Sequence, residues 1–444
     1  MHKISVRPRA TSRGRLADVT VRQTRRRFAA LSLRSFQSAF LALAIASAAT
    51  MSQAVETPSF GALLQQAQTR APQLLEESAN VRAARADVRQ AGAWLNPTLN
   101  ATAENLGAPT SGGVSQRQDT YTITQVFELG GKRSARIEAG QRKAYAAGAH
   151  ERQARLAFAA QLALAYATAE AMQQRKEVAD AESARADDDL RATQALVKAG
   201  REAELRVAQA RASAAAARAS VLSAAADATE ALERLSALVG AAEPFTHIVH
   251  PFLATVGAPS PLAGWTPSQA PALASAAAER DAVAAQVRVE QTRSMPDLGV
   301  SIGMRRFGWS SDKAATIGIS ASIPLFDRNQ SGVDAASERA NGAALRVEAA
   351  RLEALASHRS AVAQVEASDK RLQAAEQGEA AAADAYRLGR VGYDAGKTAL
   401  VELLAIRRAL SEAKALTIEA RVARVRALAT LSMAEGRNVF GETP

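Results

Sequence analysis

The side chains able to do chemistry are few and poorly assembled for it. Five histidines occur, His2, His150, His247, His250 and His358, and only His247-x-x-His250 has a spacing that metal sites use. That pair stands in a proline-rich stretch with no third ligand nearby, so no metal site is expected. Cysteine is absent, which removes thiolate chemistry, Cys-ligated zinc, disulfides and a lipid anchor on cysteine. No phosphate loop and no nucleophile motif is found. The sequence points away from an enzyme, and no cofactor is expected. What remains are two glycines followed by polar residues, Gly200-Arg201-Glu202 and Gly396-Lys397-Thr398, and an acid shortly after the second, Glu402. Such residues end helices and present charge; they do not make or break bonds.

The elements that would position them follow from composition. The chain has 444 residues, 48% hydrophobic but only 4% aromatic. That is too poor in aromatics for a typical enzyme core and too apolar for disorder. The net charge of +11 suggests nucleic acid until it is located. Residues 1–54 hold ten basic groups and one acid, so the rest of the chain is close to neutral, and no nucleic-acid partner is expected. After Arg34 comes an apolar run, 36–49, too short for the roughly 20 residues of a spanning helix and suited to a signal-peptide core. Residues 1–54 are therefore read as a signal peptide, cleaved after Ala54. The stretch Thr24-Arg25-Arg26-Arg27-Phe28 also fits a twin-arginine signal.

The remainder repeats itself. Pro97 corresponds to Pro296, Leu129-Gly130-Gly131 to Phe326-Asp327-Arg328, and Ala199-Gly200-Arg201 to Ala395-Gly396-Lys397, at nearly one offset. Two repeats are expected, 55–240 and 273–444, joined by a proline-rich linker at 241–272 that excludes a continuous helix. In the first, a helix over 59–93 starts at Ser59 and breaks at Pro72. A long helix over 134–199 and a return helix over 203–239 come later. The second repeat has its long helix at 332–395 and its return helix at 398–435. Helices this long belong in coiled coils, and their many alanines allow close packing against more than one neighbour.

Four segments alternate with period 2, near 95–105, 119–129, 296–306 and 315–325. Leu99, Ile123, Ile302 and Ile317 mark the apolar face; Asn100, Thr122, Ser301 and Gly318 mark the polar one. Gln125 and Val126 break the alternation in the second segment. Segments of about ten residues suit transmembrane β-strands, although a soluble amphipathic sheet has the same pattern. Four strands cannot close a barrel, and open edges are not tolerated in lipid. A membrane role thus demands several copies. Two would give eight strands and a filled interior; three would give twelve strands and begin to leave a lumen, which favours a homotrimer.

The chain resembles the TolC-type outer-membrane efflux proteins, and within them the CzcC-like branch that serves heavy-metal export, which implies cations of the cobalt, zinc and cadmium or of the copper and silver class as cargo. The segments carrying the resemblance are Glu128-Leu129-Gly130-Gly131-Lys132-Arg133, Pro324-Leu325-Phe326-Asp327-Arg328-Asn329-Gln330 and Tyr386-Arg387-Leu388-Gly389. The resemblance implies a mixed α and β fold, with four strands per protomer in a trimeric 12-stranded barrel continued by a helical periplasmic tunnel. It implies location in the outer membrane of a Gram-negative bacterium and contact with its lipid. It implies two protein partners, a periplasmic adaptor (a membrane fusion protein) and an inner-membrane RND-type transporter that supplies the energy. Gly200, Arg201, Glu202, Gly396, Lys397 and Thr398 would form the periplasmic tip that meets the adaptor. Glu402 falls on the first of two acidic positions that constrict the family's pore; Ala405 stands at the second. A conduit for drugs or other organic compounds would look the same, and a soluble periplasmic coiled-coil adaptor is the reading of another class. Lys132, Arg133 and Arg328 are expected at the membrane edge or paired with Glu128 and Asp327, and Tyr121, Phe307 and Trp309 in aromatic girdles.

Overall fold

The computed structural model describes residues 56–440, apart from 109, 111 and 258–261. The expected signal peptide and its cleavage point lie outside the described residues. In chain order the elements are β1 (Glu56–Thr57), α1 (Phe60–Arg70), α2 (Pro72–Ala91), β2 (Thr98–Glu104), β3 (Gln118–Glu128), α3 (Lys132–Lys198), α4 (Glu204–Val239) and β4 (His247–Ile248). A single 3-10 turn (Pro267–Gln269) leads to α5 (Pro271–Thr292), β5 (Asp297–Phe307), β6 (Lys313–Ala321), α6 (Gln330–Asp394) and α7 (Leu400–Glu435). The order helix, two strands, long helix, return helix thus occurs twice. No helix among the described residues is long and apolar enough to cross a membrane.

Local chemistry sets the boundaries. Pro72 opens α2 at a position where its missing N–H costs nothing, and Ala71 stays extended before it. Ser59 occupies the start of α1, yet its side chain makes no cap; only its carbonyl accepts, from the Leu63 N–H at 2.9 Å. The first long strand begins at Thr98 rather than 95, just after Pro97. The last covers Lys313–Ala321 rather than 315–325. Pro324 has no N–H to give a ladder, and the Leu325 N–H turns back onto the Ile323 carbonyl at 2.9 Å.

The strands form one antiparallel sheet in the order β2-β3-β5-β6, so the central pairing, β3 with β5, joins the two repeats. Gln125 and Val126 break the alternation, standing on the apolar and the polar face respectively, but not the ladder. Gln125 lies opposite Val300 and Val126 opposite Gly299, in unbroken register. The Gln125 side-chain amide donates to the Leu95 carbonyl at 2.9 Å, occupying an acceptor that β2 leaves unpaired.

The helices pack in antiparallel pairs, α3 with α4 and α6 with α7, and α3 also lies along α5 and α7. Small residues make the seams. Ala146 and Ala149 meet Ala278 across α3 and α5. A Cβ on Gly140 would stand 3.4 Å from the Val88 Cα, so α2 and α3 nearly touch backbone to backbone.

The proline-rich stretch expected as a linker is part of the core. Phe245, Ile248, Phe252 and Leu253 are buried with Phe60, Leu63, Leu162, Tyr166, Leu235 and Val425, each large side chain contributing about 1.5–3 kcal/mol. One face of α3 holds its backbone. The Tyr166 hydroxyl donates to the His250 carbonyl at 3.0 Å. The Glu170 carboxylate accepts from the Phe252 and Leu253 N–H groups at 2.8 and 2.9 Å. The Gln173 amide pairs with both backbone groups of Ile248. The spacing 166, 170, 173 puts all three on one helix face. From the other repeat, Arg424 donates to the Val256 carbonyl at 2.7 Å and Glu435 accepts from the Leu262 N–H at 2.8 Å.

Candidate functional site

The two helix breaks have one geometry. Each is built on Ala-Gly-x-x-Ala, residues 199–203 and 395–399. Gly200 and Gly396 both have φ of +71°, the left-handed conformation that ends a helix. The Arg201 N–H reaches the Leu196 carbonyl at 2.9 Å and the Gly200 N–H reaches Val197 at 3.0 Å. The second turn reproduces both bonds, Lys397 to Gly392 at 2.8 Å and Gly396 to Tyr393 at 2.9 Å. Ala203 and Ala399 are then extended, and each return helix starts without a side-chain cap. Gly200, Arg201, Glu202, Gly396 and Lys397 are all exposed.

Thr398 differs from the other five. It is half-buried, and a Cβ on Gly392 would run into its hydroxyl, so Gly392 is the space into which the turn folds. Gly389 acts similarly: a Cβ there would stand 3.0 Å from Ile406 on α7. Close approach of α6 and α7 thus accounts for the glycine of Tyr386-Arg387-Leu388-Gly389. Tyr386 itself lies beneath the Arg185 guanidinium of α3, 5.6 Å from the ring centre.

Glu402 is exposed in the first turn of α7. Its neighbours one turn away are Thr398 and Ile406, so the helix offers it no cation at i±4. Among the described residues it has no ion-pair partner. One turn further on, Arg407 is 6% exposed. Its Nε donates to Glu182 at 2.9 Å and its Nη1 to Asp189, both on α3. The Ser411 hydroxyl donates to the other oxygen of Glu182 at 3.2 Å. Sequence reasoning missed this cluster, because its members stand in different repeats. The available signal was the acid run Asp187-Asp188-Asp189, too dense for one solvated helix face.

At the opposite end of the long helices is the sheet. Leu99, Ile123, Ile302 and Ile317 form one cross-strand row, and Ala101, Tyr121, Met304 and Ala315 the next. On the other face, Asn100, Thr122, Gly303 and Thr316 align, then Thr102, Thr120 and Arg305. Ile317 is 82% exposed and Ile319 76%. Apolar side chains this open, in ordered rows, form an exposed hydrophobic patch of the kind that interaction sites present. Both outer edges, β2 and β6, lack a partner strand within the described residues.

The junction from sheet to helix is clamped differently from the expectation. Glu128 pairs with Arg136, a turn into α3, rather than with Lys132 or Arg133. That contact raises the Arg136 pKa above its ordinary value, the Glu128 hydrogen bond being the main cause. Lys132 crosses to Asp297 of β5 at 2.7 Å. Arg133 donates to the Gly92 carbonyl at 2.8 Å and covers the Trp94 ring. Asp327 accepts from the Asn329 N–H at 2.9 Å instead of holding Arg328. Phe307 and Trp309 meet at the far end of β5, ring centres 4.5 Å apart.

The family described as outer membrane efflux protein matches residues 63–241 and 266–437, one segment for each repeat, with the buried strap between them. The chain is 53% identical to the nickel-cobalt-cadmium resistance protein NccC of Alcaligenes xylosoxydans xylosoxydans over 84% of its own length and 85% of that protein's. It is 30% identical to the cobalt-zinc-cadmium resistance protein CzcC of Cupriavidus metallidurans, over 74% and 78% respectively. A solved structure of CusC superposes with a TM-score of 0.74 at 18% identity, covering 85% of this chain and 92% of that one. The fold is thus that of the TolC-like channels, and the chain belongs to the outer membrane efflux protein family.

Proposed function

We propose that this chain is the outer-membrane exit duct of a tripartite pump that expels divalent heavy-metal cations of the nickel, cobalt, zinc and cadmium class. The observation that carries the reading is the sheet: four strands, one apolar and one polar face, both edges open, fused to helices of 65 and 67 residues. In lipid such edges must be closed by other copies, and a homotrimer closes them as twelve strands with a lumen. At about 1.5 Å per residue each long helix extends about 100 Å, enough to carry the tube through the periplasm. The resistance named for NccC and CzcC supports the cargo. The duct is passive and needs no cofactor; a periplasmic adaptor and an inner-membrane RND-type transporter supply selection and energy.

In this reading the turns at Gly200-Arg201-Glu202 and Gly396-Lys397-Thr398 form the tip that meets the adaptor. Three Glu402 carboxylates, one per protomer, face one another near that tip and favour cations in the narrowest part. The test is a deletion strain complemented with the gene, plated on graded nickel, cobalt and cadmium. Restored growth on metal supports the reading. Restored resistance to organic compounds alone would move the cargo to that class. An unheated gel of outer membranes should show a band near three protomer masses, and a soluble periplasmic protein would overturn the duct itself.

A further inference from the structure

We propose that the outer rim of the sheet holds the phosphate groups of a phosphorylated glycolipid in the outer leaflet, bound between Arg306 and Lys313. The inference rests on the barrel reading above. The two residues are direct cross-strand partners on β5 and β6, on the same face as Ile302, Met304, Ala315 and Ile317. Like charges directly opposite destabilise a strand pair, and both side chains are exposed. On β3 the opposing residue is Asp119, but Arg117 holds it through its Nε at 2.9 Å. The rim of this face therefore sets three cations against one carboxylate.

The loop end of the strands carries an opposed pair of cations that the helix end does not. At the helix end three cations are engaged by the protein, Lys132 by Asp297, Arg136 by Glu128 and Arg133 by the Gly92 carbonyl, while Arg328 stands exposed beyond β6. On the polar face Arg305 donates to the Thr120 hydroxyl at 3.2 Å. At the loop end of the apolar face two cations without an acceptor among the described residues, Arg306 and Lys313, stand directly opposite each other. From Leu298 to Met304 the apolar band runs about 20 Å along the strand, so the pair sits where hydrocarbon gives way to headgroups. An anionic headgroup of the outer leaflet meets the pair at that level. A phosphate suits an arginine fork beside a lysine point charge.

The protein is extracted from outer membranes in mild detergent and its bound lipid A is quantified by mass spectrometry. The double variant Arg306→Gln, Lys313→Gln is expected to retain on the order of thirtyfold less, about fivefold for each basic residue. Arg346→Gln, on the exposed surface of α6, should retain as much as wild type. Equal retention by the double variant would overturn the proposal. A second arm needs no variant: wild-type protein in phospholipid vesicles receives bisphosphorylated lipid A, its dephosphorylated form, or inorganic phosphate. Only the first should raise the temperature at which the oligomer dissociates; an equal rise with the dephosphorylated lipid would overturn the site. The oligomer band is scored beforehand in each sample, so loss of the band in wild type counts against the barrel and not against the rim.

Discussion

Arg407 on α7 and Asp189 on α3 share a hydrogen-bonded ion pair across 218 positions of sequence. Together with Glu182 they fix the second return helix onto the first long helix, between the two tips and the buried core. Arg407→Ala leaves two partly buried carboxylates facing each other without a cation. The expected loss is about 3 kcal/mol or more, read as a lower urea midpoint. Asp189→Asn should cost less, because Glu182 still answers the guanidinium. Equal losses from both would show that the cluster does not act as a unit.

Tyr166 gives a handle on the strap. Burial, with the Glu170 charge second, pushes its pKa up to about 12, against an ordinary value near 10. The native state holds the neutral phenol. Its stabilising effect is complete below about pH 10, where the unfolded tyrosine is also neutral, and is lost as pH rises through about 12. Absorbance at 295 nm should therefore show one of the five tyrosines ionising late. Tyr166→Phe should abolish that late step and cost about 1–2 kcal/mol from the lost bond to His250. A single ordinary titration for all tyrosines would refute the assignment.

The two tip turns should respond alike. Gly200→Ala and Gly396→Ala each force a Cβ into a left-handed conformation, at about 1–2 kcal/mol. Amide exchange at Arg201 and Lys397 should speed up by a similar factor in the two variants. Gly392→Ala keeps a helical backbone and meets the Thr398 hydroxyl instead, so it should disturb the second turn and leave the first unchanged. Unchanged exchange in all three would count against the turn geometry.

Glu402→Gln should leave folding within about 0.5 kcal/mol of wild type, as befits an exposed side chain without a partner. In planar bilayers under a salt gradient, its cation preference should fall. A reversal potential equal to wild type would remove Glu402 from the constriction.

The two faces of the sheet should differ sharply in what they tolerate. Ile317→Lys puts a charge on the face assigned to lipid, at about 2–4 kcal/mol near the membrane midplane. Thr122→Lys puts the same charge on the polar face and should be tolerated. The yield of heat-modifiable oligomer measures both, and equal yields would contradict the assignment of faces.

Much of this was legible in the sequence, and the failures have a common cause. Local periodicity and glycine placement revealed the strands, the long helices and both turns, because neighbouring residues alone decide those features. Pairings between distant segments left little trace. Glu128 stands beside Lys132 and Arg133 in sequence, yet the helix turns Arg136 toward it. Gln125 breaks the alternation, and nothing beside it in sequence announces the Leu95 carbonyl that its amide meets. The prolines at 241–272 announced the absence of a helix, but Phe245 and Phe252 among them belonged to the core. Arg407 read as one arginine among many on a helix, and only α3 beside it explains its burial.

The β3–β5 pairing has a consequence in time. Gln118 meets Phe307, so one edge of β3 waits for a segment about 180 residues further along the chain. At about 5–20 residues per second of synthesis, that wait is on the order of ten to forty seconds. Throughout it a half-made hairpin, β2 with β3, displays an apolar face and a free edge to any other chain passing through the same compartment. Long-range pairing is slow to close even after its partner arrives. The interval before the second hairpin arrives, more than the finished sheet, is when this chain most needs another protein to hold it.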